Sequence, residues 1–213
     1  NFVVLRDRWY SEKIDYGVIS GPCHAEEVAM SRRSYLTFSA DNEEVSKLII
    51  SLMTNSFVSV KDSKDVFGTE LAAILKNIYA LLVGVCHGLG YGDNFLSVLI
   101  SSSASELGNI INSIDPKQRK ISDSAYLGDL LVTCYSLHSR NRKFGNFIGR
   151  GYSVKNTKES MNMVAEGYNA TKCIHELLGE ETVNYPILQT TYDILYKNTR
   201  PKAQVKTLES LIS

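Results

Sequence analysis

Hydrophobic positions in the first third of the chain form three short runs and one helical stripe. The runs 16–19, 34–40 and 57–62 have the length and residue types of buried β-strands. Segment 42–53 lies between the last two runs, and its apolar residues recur every three or four positions, as on one face of a helix. These apolar positions are Val45, Leu48, Ile49 and Leu52. The β-α-β order predicts the edge of an α/β sheet that ends near residue 65.

From residue 66 onward the hydrophobic pattern is helical throughout. The almost wholly apolar stretch 70–86 predicts a buried helix with Thr69 as its N-cap, and a second long helix is expected over 94–113. The inward face of this second helix is predicted to carry Phe95, Val98, Leu99, Leu107, Ile110 and Ile111. Further helices are expected near 123–137, 140–149, 155–161, 165–179, 186–197 and 201–212. We therefore expect a mainly α fold in two parts, the end of an α/β domain in 1–65 and a domain of seven or eight helices in 66–213.

Composition and charge restrict the classes of function. Lys+Arg and Asp+Glu both number 23, so the net charge is zero and the sequence offers no basic footprint for nucleic acid. No stretch reaches 18 uninterrupted apolar residues, so no membrane span is expected. The four cysteines form no CxxC pair, and three of them lie in apolar or helical stretches, which indicates reduced, buried thiols in a cytoplasmic protein. Cys134 and His138 are spaced as one helical ligand pair, but no second pair accompanies them, so no metal site is predicted.

Two charged residues interrupt apolar segments and are the first candidates for chemistry. Lys76 has apolar neighbours on nearly every side, and Asp129 lies in the segment AYLGDLLVTCYS. An unpaired charge in a protein core is costly, so a buried Lys76 needs a carboxylate partner or must lose its proton. If both residues are buried, we expect them to share one polar pocket, where a lysine suits general acid–base catalysis. The alternatives are a lysine that reaches the surface and a solvated aspartate in a first helical turn.

Two further segments combine a turn with polar groups. Ser139, Arg140 and Asn141 offer a hydroxyl, a guanidinium and an amide where a helix is predicted to begin. Such a set is typical of a phosphate or carboxylate cradle, with a solvated basic turn as the alternative. Segment 21–27, GPCHAEE, follows the first predicted strand, where α/β proteins bind ligands, although a purely structural helix start has the same residue types. Its Cys23 and His24 lack a third orienting group, so a thiol nucleophile is not expected.

Four sequence motifs together resemble one enzyme family. They are GPCHAEEVA, ELAAILKNIYALLVGVCHGLGYGDN, LGDLLVTCYSLHSRNRKFG and AEGY. Their order and separations are similar to those of NAD(P)-dependent glycerol-3-phosphate dehydrogenase, in particular its bacterial branch. The resemblance implies a multi-helical substrate-binding domain of the 6-phosphogluconate dehydrogenase C-terminal type, preceded by a short α/β remnant of a Rossmann domain. Most of that Rossmann domain would precede Asn1, so this chain alone is expected to be inactive.

The resemblance also implies roles for individual residues. It implies that Lys76 transfers a proton while hydride moves between NAD or NADP and C2 of glycerol 3-phosphate or dihydroxyacetone phosphate. The substrate-binding residues that it implies are Gly21, Cys23, Lys76, Asn77, Asp129, Thr133, Ser139, Arg140 and Asn141. The cofactor contacts that it implies are Ala25, Arg140, Val164 and Glu166. Cys23 departs from the bacterial enzymes, in which serine is common, so a hydrogen bond there would be weaker.

The expected partners and the alternative functions follow from the same residues. The resemblance implies a cytoplasmic homodimer that binds neither nucleic acid nor membrane. One alternative is a relative of the β-hydroxyacid dehydrogenases, which also place a lysine near an asparagine in a helical domain; the phosphate group of residues SRNR argues against it. The other alternative is a helical module retained for dimerisation or ligand binding without catalysis. The presence of both Lys76 and Asp129 in apolar segments argues against that module.

Overall fold

The structure, a computed structural model, describes residues 15–161, 163 and 165–212. Its first part is a small sheet with two connecting helices. The strands are β1 (Gly17–Ser20), β2 (Ser34–Ala40) and β3 (Val58–Ser63), and the helices are α1 (Ala25–Ala29) and α2 (Glu43–Met53). β1 pairs antiparallel with β2, with Gly17 opposite Ala40, and β2 pairs parallel with β3, with Ser34 opposite Val58. The three predicted strands and the parallel β-α-β unit are therefore confirmed.

Eight α-helices follow in the described part of the chain from residue 66 onward. They are α3 (Val66–Gly88), α4 (Asp93–Ile114), α5 (Asp129–Tyr135), α6 (Arg140–Gly149), α7 (Val154–Ser160), α8 (Glu166–Leu178), α9 (Pro186–Tyr196) and α10 (Pro201–Ile212). A π-helical turn, Ser124–Gly128, leads into α5, and a 3₁₀ segment, Gly179–Asn184, leads into α9. The prediction of a mainly helical chain with a short α/β part is confirmed.

Helix α3 is the centre of the helical part. It packs against α4, α5, α6, α8 and α9, and side chains such as Leu75, Ile78 and Leu82 are fully enclosed by these neighbours. By length and composition α3 could cross a bilayer, but 67% of its most apolar window is buried inside the protein. Packing within the fold thus accounts for the apolar character of this helix.

Glycines on α3 and α6 let the two helices approach backbone to backbone. A Cβ added at Gly84 would lie 2.1 Å from the Arg142 carbonyl oxygen, and one at Gly145 would lie 1.9 Å from the Leu81 carbonyl oxygen. Only a hydrogen atom fits at either position. This contact holds the start of α6 beside the middle of α3, and both of these segments carry candidate site residues.

Replacement of Gly145 tests the importance of this contact. We expect Gly145→Ala to destabilise the protein by about 1–3 kcal/mol, because the new methyl group must push α6 away from α3. Thermal melting followed by circular dichroism measures the effect. Gly128→Ala is the matched control, since a Cβ there meets its nearest neighbour at an ordinary 3.5 Å. An equal melting temperature for the two variants would contradict the close-contact argument.

The start of α3 differs from the prediction. Asp65, not Thr69, is the N-cap, and its Oδ1 accepts the Gly68 backbone N–H at 3.2 Å. Thr69 lies inside the helix, fully buried, with its hydroxyl 2.7 Å from that of Ser39. The distant Arg119 explains the difference, because its Nε donates to Asp65 Oδ2 at 2.6 Å and fixes the carboxylate in the capping position.

Some apolar side chains predicted to face inward are exposed. Val98 on α4 is 45% exposed, which corrects the predicted inward face of that helix. On α2 the apolar stripe is present, but Leu48 and Leu52 are 57% and 72% exposed while Ser46 is buried. Ser46, in the first turn of α2, donates a hydrogen bond to Asp62 on β3. The face of α2 that contacts the sheet is therefore rotated away from the most apolar face of the helix. Periodicity identifies an amphipathic helix but does not determine which neighbours cover it.

The cysteines are less buried than predicted. Cys86 and Cys134 are buried, Cys23 is half-buried and Cys173 is exposed. Two of the four thiols, rather than three, are therefore enclosed. Cys173 lies on the side of α8 that faces solvent, because other residues of that helix pack against the core.

Candidate active site

An ion pair between α3 and α5 lies at the centre of the candidate site. Lys76 Nζ is 2.5 Å from Asp129 Oδ2, although 53 positions separate the residues in the chain. The Asp129 side chain is 3% exposed and that of Lys76 is 21% exposed. The lysine therefore has one side against a buried carboxylate and one side open to a cavity. The solvated aspartate and the surface lysine are both excluded by this geometry.

Asp129 is also bound by the end of β1. Ser20 Oγ donates to Asp129 Oδ2 at 2.8 Å, and the Gly21 backbone N–H donates to the same oxygen at 3.1 Å. Gly21 has φ of +139°, and a Cβ there would lie 2.4 Å from the Tyr35 carbonyl oxygen, so the turn requires glycine. Three donors on one oxygen compensate the buried negative charge and fix its position beside Lys76.

A chain of amide hydrogen bonds connects three helices at the same place. Asn141 Nδ2 donates to Asn77 Oδ1 at 2.9 Å, and Asn141 Oδ1 accepts the Gly167 backbone N–H at 2.8 Å. Asn77 Nδ2 in turn donates to the Ala73 carbonyl oxygen at 3.1 Å. The residue after Lys76 is thereby tied to the first turns of α6 and α8, and the relative positions of these three helices are fixed.

The first turn of α6 presents groups that suit an anion. Ser139 is the N-cap, and its Oγ accepts the Arg142 backbone N–H at 3.3 Å. Arg140 is exposed, and within the described part of the chain the only hydrogen bond of its guanidinium goes to the Met163 sulfur, at 3.9 Å. The guanidinium has no carboxylate partner there, and it lies at the positive end of a helix dipole. Both features favour an oxyanion.

One cleft brings most of the predicted site residues together. Its volume is about 650 Å³, within the usual range of ligand sites. The predicted residues that line it are Cys23, Ala25, Lys76, Asn77, Thr133, Ser139, Arg140, Asn141 and Glu166. Gly21 and Asp129 are not part of this lining: Gly21 donates to Asp129, and Asp129 holds Lys76. Thr133 Oγ1 donates to the Asp129 carbonyl oxygen at 2.6 Å. Val164 lies outside the described residues.

Several residues of the site were not predicted from sequence. Ser20 binds Asp129, and His24 and His138 line the cleft with ring centroids 6.1 Å apart. Met163 lines the same cleft and contacts Arg140. Two of these residues could have been suspected from their neighbours in the sequence. Ser20 directly precedes the Gly-Pro turn, and His138 directly precedes Ser139. Among residues 15–161, 163 and 165–212, no group of three or more His, Cys, Asp or Glu side chains is placed to hold a metal ion.

Comparison with known proteins shows the family. A model of the family described as NAD-dependent glycerol-3-phosphate dehydrogenase C-terminus matches residues 65–206, which is most of the chain. The chain belongs to this dehydrogenase family. The matched region contains Lys76, Asp129, the first turn of α6 and Glu166, whereas Gly21, Cys23 and Ala25 lie before it. The resemblance stated from the sequence motifs is confirmed.

Relatives of the dehydrogenase family extend the similarity over the α/β part. Glycerol-3-phosphate dehydrogenases [NAD(P)+] of Bacillus thuringiensis (strain Al Hakam) and Bacillus cereus (strain B4264) are each 38% identical over 194 residues, 91% of this chain. The chain spans 57% of the length of these relatives.

Solved structures of glycerol-3-phosphate dehydrogenases share the fold. The Coxiella burnetii glycerol-3-phosphate dehydrogenase aligns with a TM-score of 0.88 at 31% identity, over 92% of this chain and 60% of that one. The enzyme of Saccharomyces cerevisiae aligns with a TM-score of 0.80 at 26% identity over the same shares. Members of the dehydrogenase family therefore match both the sheet and the helical part of this chain.

Proposed function

We propose that this chain forms the substrate-binding and proton-transferring part of a glycerol-3-phosphate dehydrogenase, which interconverts sn-glycerol 3-phosphate and dihydroxyacetone phosphate with NAD or NADP. The observation that carries the proposal is the Lys76–Asp129 ion pair, which lies in one cleft with the anion-binding turn of Ser139, Arg140 and Asn141. A proton-transferring amine and a phosphate cradle are the two groups that this substrate pair requires from the protein. Membership of the family supports the same assignment.

Lys76 is proposed to move the proton at the C2 oxygen of the substrate. In reduction its ammonium donates a proton to the oxygen as the carbonyl becomes an alcohol, and in oxidation the amine takes the hydroxyl proton. The nicotinamide group supplies or accepts the hydride at C2 when it is bound. Asp129 holds Nζ in position through its 2.5 Å contact, while Ser20 and Gly21 hold Asp129. The open side of Lys76 faces the cleft, where the substrate would lie.

Arg140, Ser139 and Asn141 are proposed to bind the substrate phosphate. Arg140 can form a two-pronged contact with phosphate oxygens, and the start of α6 adds its helix dipole. Asn141 is already oriented by Asn77 and Gly167, so its position needs no rearrangement when substrate binds. A hydroxy acid would offer Arg140 only a carboxylate, and a carboxylate does not require a cradle that combines a guanidinium, a hydroxyl, an amide and a helix N-terminus. This argues against the β-hydroxyacid dehydrogenase alternative.

The residues present fit one end of a dinucleotide. Ala25, Arg140 and Glu166 line the cleft together with Lys76, and a volume of about 650 Å³ exceeds what a three-carbon phosphate fills. We propose that residues 1–65 are the end of the cofactor domain and residues 66–213 the catalytic domain. In that arrangement the remainder of the dinucleotide is held by a part of the polypeptide that precedes this chain. The assignment of Val164 as a further cofactor contact remains a prediction.

A cytoplasmic homodimer is part of the same proposal. Sedimentation equilibrium of the complete polypeptide tests the dimer, and a mass equal to one copy at micromolar concentration would contradict it.

Arg140→Ala in the complete polypeptide tests the phosphate assignment. We expect the KM for dihydroxyacetone phosphate to rise about 10- to 100-fold, because a charge-assisted contact to the substrate is lost, while kcat falls less. The assay is oxidation of NADH or NADPH with dihydroxyacetone phosphate as acceptor. Lys202→Ala, on the exposed face of α10, is the matched control for loss of one positive charge.

The outcomes of this assay separate the candidate functions. An active parent whose KM is unchanged in Arg140→Ala would refute the phosphate cradle. A parent that is inert with this substrate but reduces an unphosphorylated keto acid would support the β-hydroxyacid dehydrogenase alternative. A parent with no turnover on either substrate, but with binding of the phosphorylated one, would support the non-catalytic module.

A further inference from the structure

A second, smaller cavity lies on the other side of the α6 N-terminus. We name it the back pocket; its volume is about 220 Å³. The polar residues that line it are His87, Ser136, Ser139, Arg142, Lys143, Asn146 and Arg150. It shares only Ser139 with the active-site cleft among the residues that line the two cavities in the described part of the chain. The back pocket is therefore formed by the C-terminal end of α3, the loop before α6, and the length of α6 itself.

The charge of the back pocket is entirely positive. Arg142, Lys143 and Arg150 line it, and no Asp or Glu among the described residues does. None of these three cations forms an ion pair with a described residue. Three like charges around one small cavity repel each other, and this cost is relieved when an anion binds between them.

The guanidinium of Arg142 is only partly paired. Its Nη1 donates to the Tyr135 carbonyl oxygen at 3.2 Å, which holds the guanidinium in place. Its Nε, in contrast, is buried and has no acceptor among the described residues. A buried N–H without a partner is unfavourable by about 1–3 kcal/mol, so a small movement of the Arg142 side chain that brought Nε to a bound anion would recover this cost. Asn146 Nδ2 lies 2.6 Å from His87 Nδ1, so two further polar side chains of the pocket are already oriented.

We propose that the back pocket binds a compact phosphate-bearing anion at a site separate from the active-site cleft. The guanidinium groups of Arg142 and Arg150 suit phosphate oxygens, and Lys143 adds a third positive charge. A volume of about 220 Å³ suits orthophosphate or a small phosphorylated molecule and is below the usual size of sites for larger ligands such as dinucleotides. This inference goes beyond the proposed dehydrogenase function and depends only on the residues of the pocket.

Inorganic phosphate is the probe for the test, and isothermal titration calorimetry is the measurement. Because phosphate also fits the proposed cradle in the cleft, the comparison is made in the complete polypeptide with Arg140→Gln, which weakens the cleft site. In that background we expect one phosphate to bind, and addition of Lys143→Gln with Arg150→Gln should weaken its binding at least about tenfold. Both added positions are exposed, so their replacement leaves the fold intact. Lys202→Gln in the same background is the control and should leave phosphate affinity unchanged.

Each outcome decides the proposal. Loss of phosphate binding in the triple variant, with retention in the Lys202→Gln control and an unchanged melting temperature, supports the back pocket. No phosphate binding to Arg140→Gln, or equal affinity in Arg140→Gln and the triple variant, overturns it. Because binding rather than turnover is measured, a failure of the dehydrogenase proposal would leave this result unaffected, and the reverse also holds.

Discussion

Lys76→Ala in the complete polypeptide is expected to lower kcat for dihydroxyacetone phosphate reduction by about 10²- to 10⁴-fold, the usual contribution of a positioned general acid. The physical reason is that the substitution removes the Lys76 amine, which lies beside the buried Asp129 and is the proposed proton donor to the C2 oxygen. The KM is expected to change little, because the phosphate contacts on α6 remain. Steady-state kinetics with NADH or NADPH measure both constants.

Three controls make the Lys76 result specific. Lys202→Ala removes an exposed lysine and should have parental kinetics. The melting temperature of Lys76→Ala shows whether the hydrogen bonds from Ser20 and Gly21 are enough to stabilise the buried Asp129 carboxylate after its ion-pair partner is removed. A small primary amine added to the assay should partly restore kcat, since the deleted side chain leaves a space beside the carboxylate. A Lys76→Ala enzyme that retains more than about a tenth of the parental kcat would rule out the assigned role.

Glu106→Ala is expected to produce the largest loss of stability, about 3–5 kcal/mol. Glu106 on α4 is 6% exposed, and its two carboxylate oxygens accept the backbone N–H groups of Ile187 and Leu188 at 2.8 and 2.9 Å. These N–H groups are in the first turn of α9, where helical partners are lacking. Their own residues are buried, so water cannot replace the carboxylate when it is removed.

Thermal melting of the complete polypeptide measures the Glu106 effect. A fall of about 10 °C is expected for a domain of this size. Glu159→Ala, on the exposed surface of α7, is the control and should change stability by less than about 0.5 kcal/mol. A Glu106→Ala protein that melts within a few degrees of the parent would show that α9 does not depend on this cap.

The same carboxyl group predicts a pH dependence of stability. Burial raises the pKa of Glu106 from its ordinary value of 4.5 to about 7, and the two backbone N–H groups offset burial only in part. Between these values the folded state binds the proton more tightly than the unfolded state. The contribution of Glu106 to the free energy of unfolding is therefore fully present below pH 4.5, falls as pH rises toward about 7, and is constant above it.

Glu106→Gln isolates this pH effect, because the amide cannot titrate but retains an oxygen acceptor. The difference in unfolding free energy between parent and variant should shift by up to about 3 kcal/mol between pH 4.5 and pH 7. Urea titrations at pH 5, 6 and 7.5 provide the comparison. Parallel pH profiles for the two proteins would show that Glu106 has the same proton affinity in both states.

Much of the fold was predictable because its signals are local. The strand Ser34–Ala40 and the helix Arg140–Gly149 have the predicted bounds, since turn residues, capping residues and apolar periodicity lie within each segment. The N-cap of α3 was not predictable, because Asp65 is fixed by Arg119 from a distant loop. The exposure of Val98 was missed for a related reason, since only the neighbouring helices decide which part of an apolar stripe they cover.

Part of the candidate site was likewise predictable from the sequence, and part depended on the tertiary structure. The sequence by itself determined which residues were anomalous: a lysine and an aspartate in apolar segments, and a basic turn at a helix start. It also determined the family, because four motifs occur in order over most of the chain. Only the tertiary structure decided that Lys76 and Asp129 meet, that Ser20 and Gly21 complete the aspartate, and that the back pocket has no carboxylate in its described lining. The physical reason is that charge compensation acts through space between residues 50 to 110 positions apart, whereas periodicity and capping act within a few residues of one chain segment.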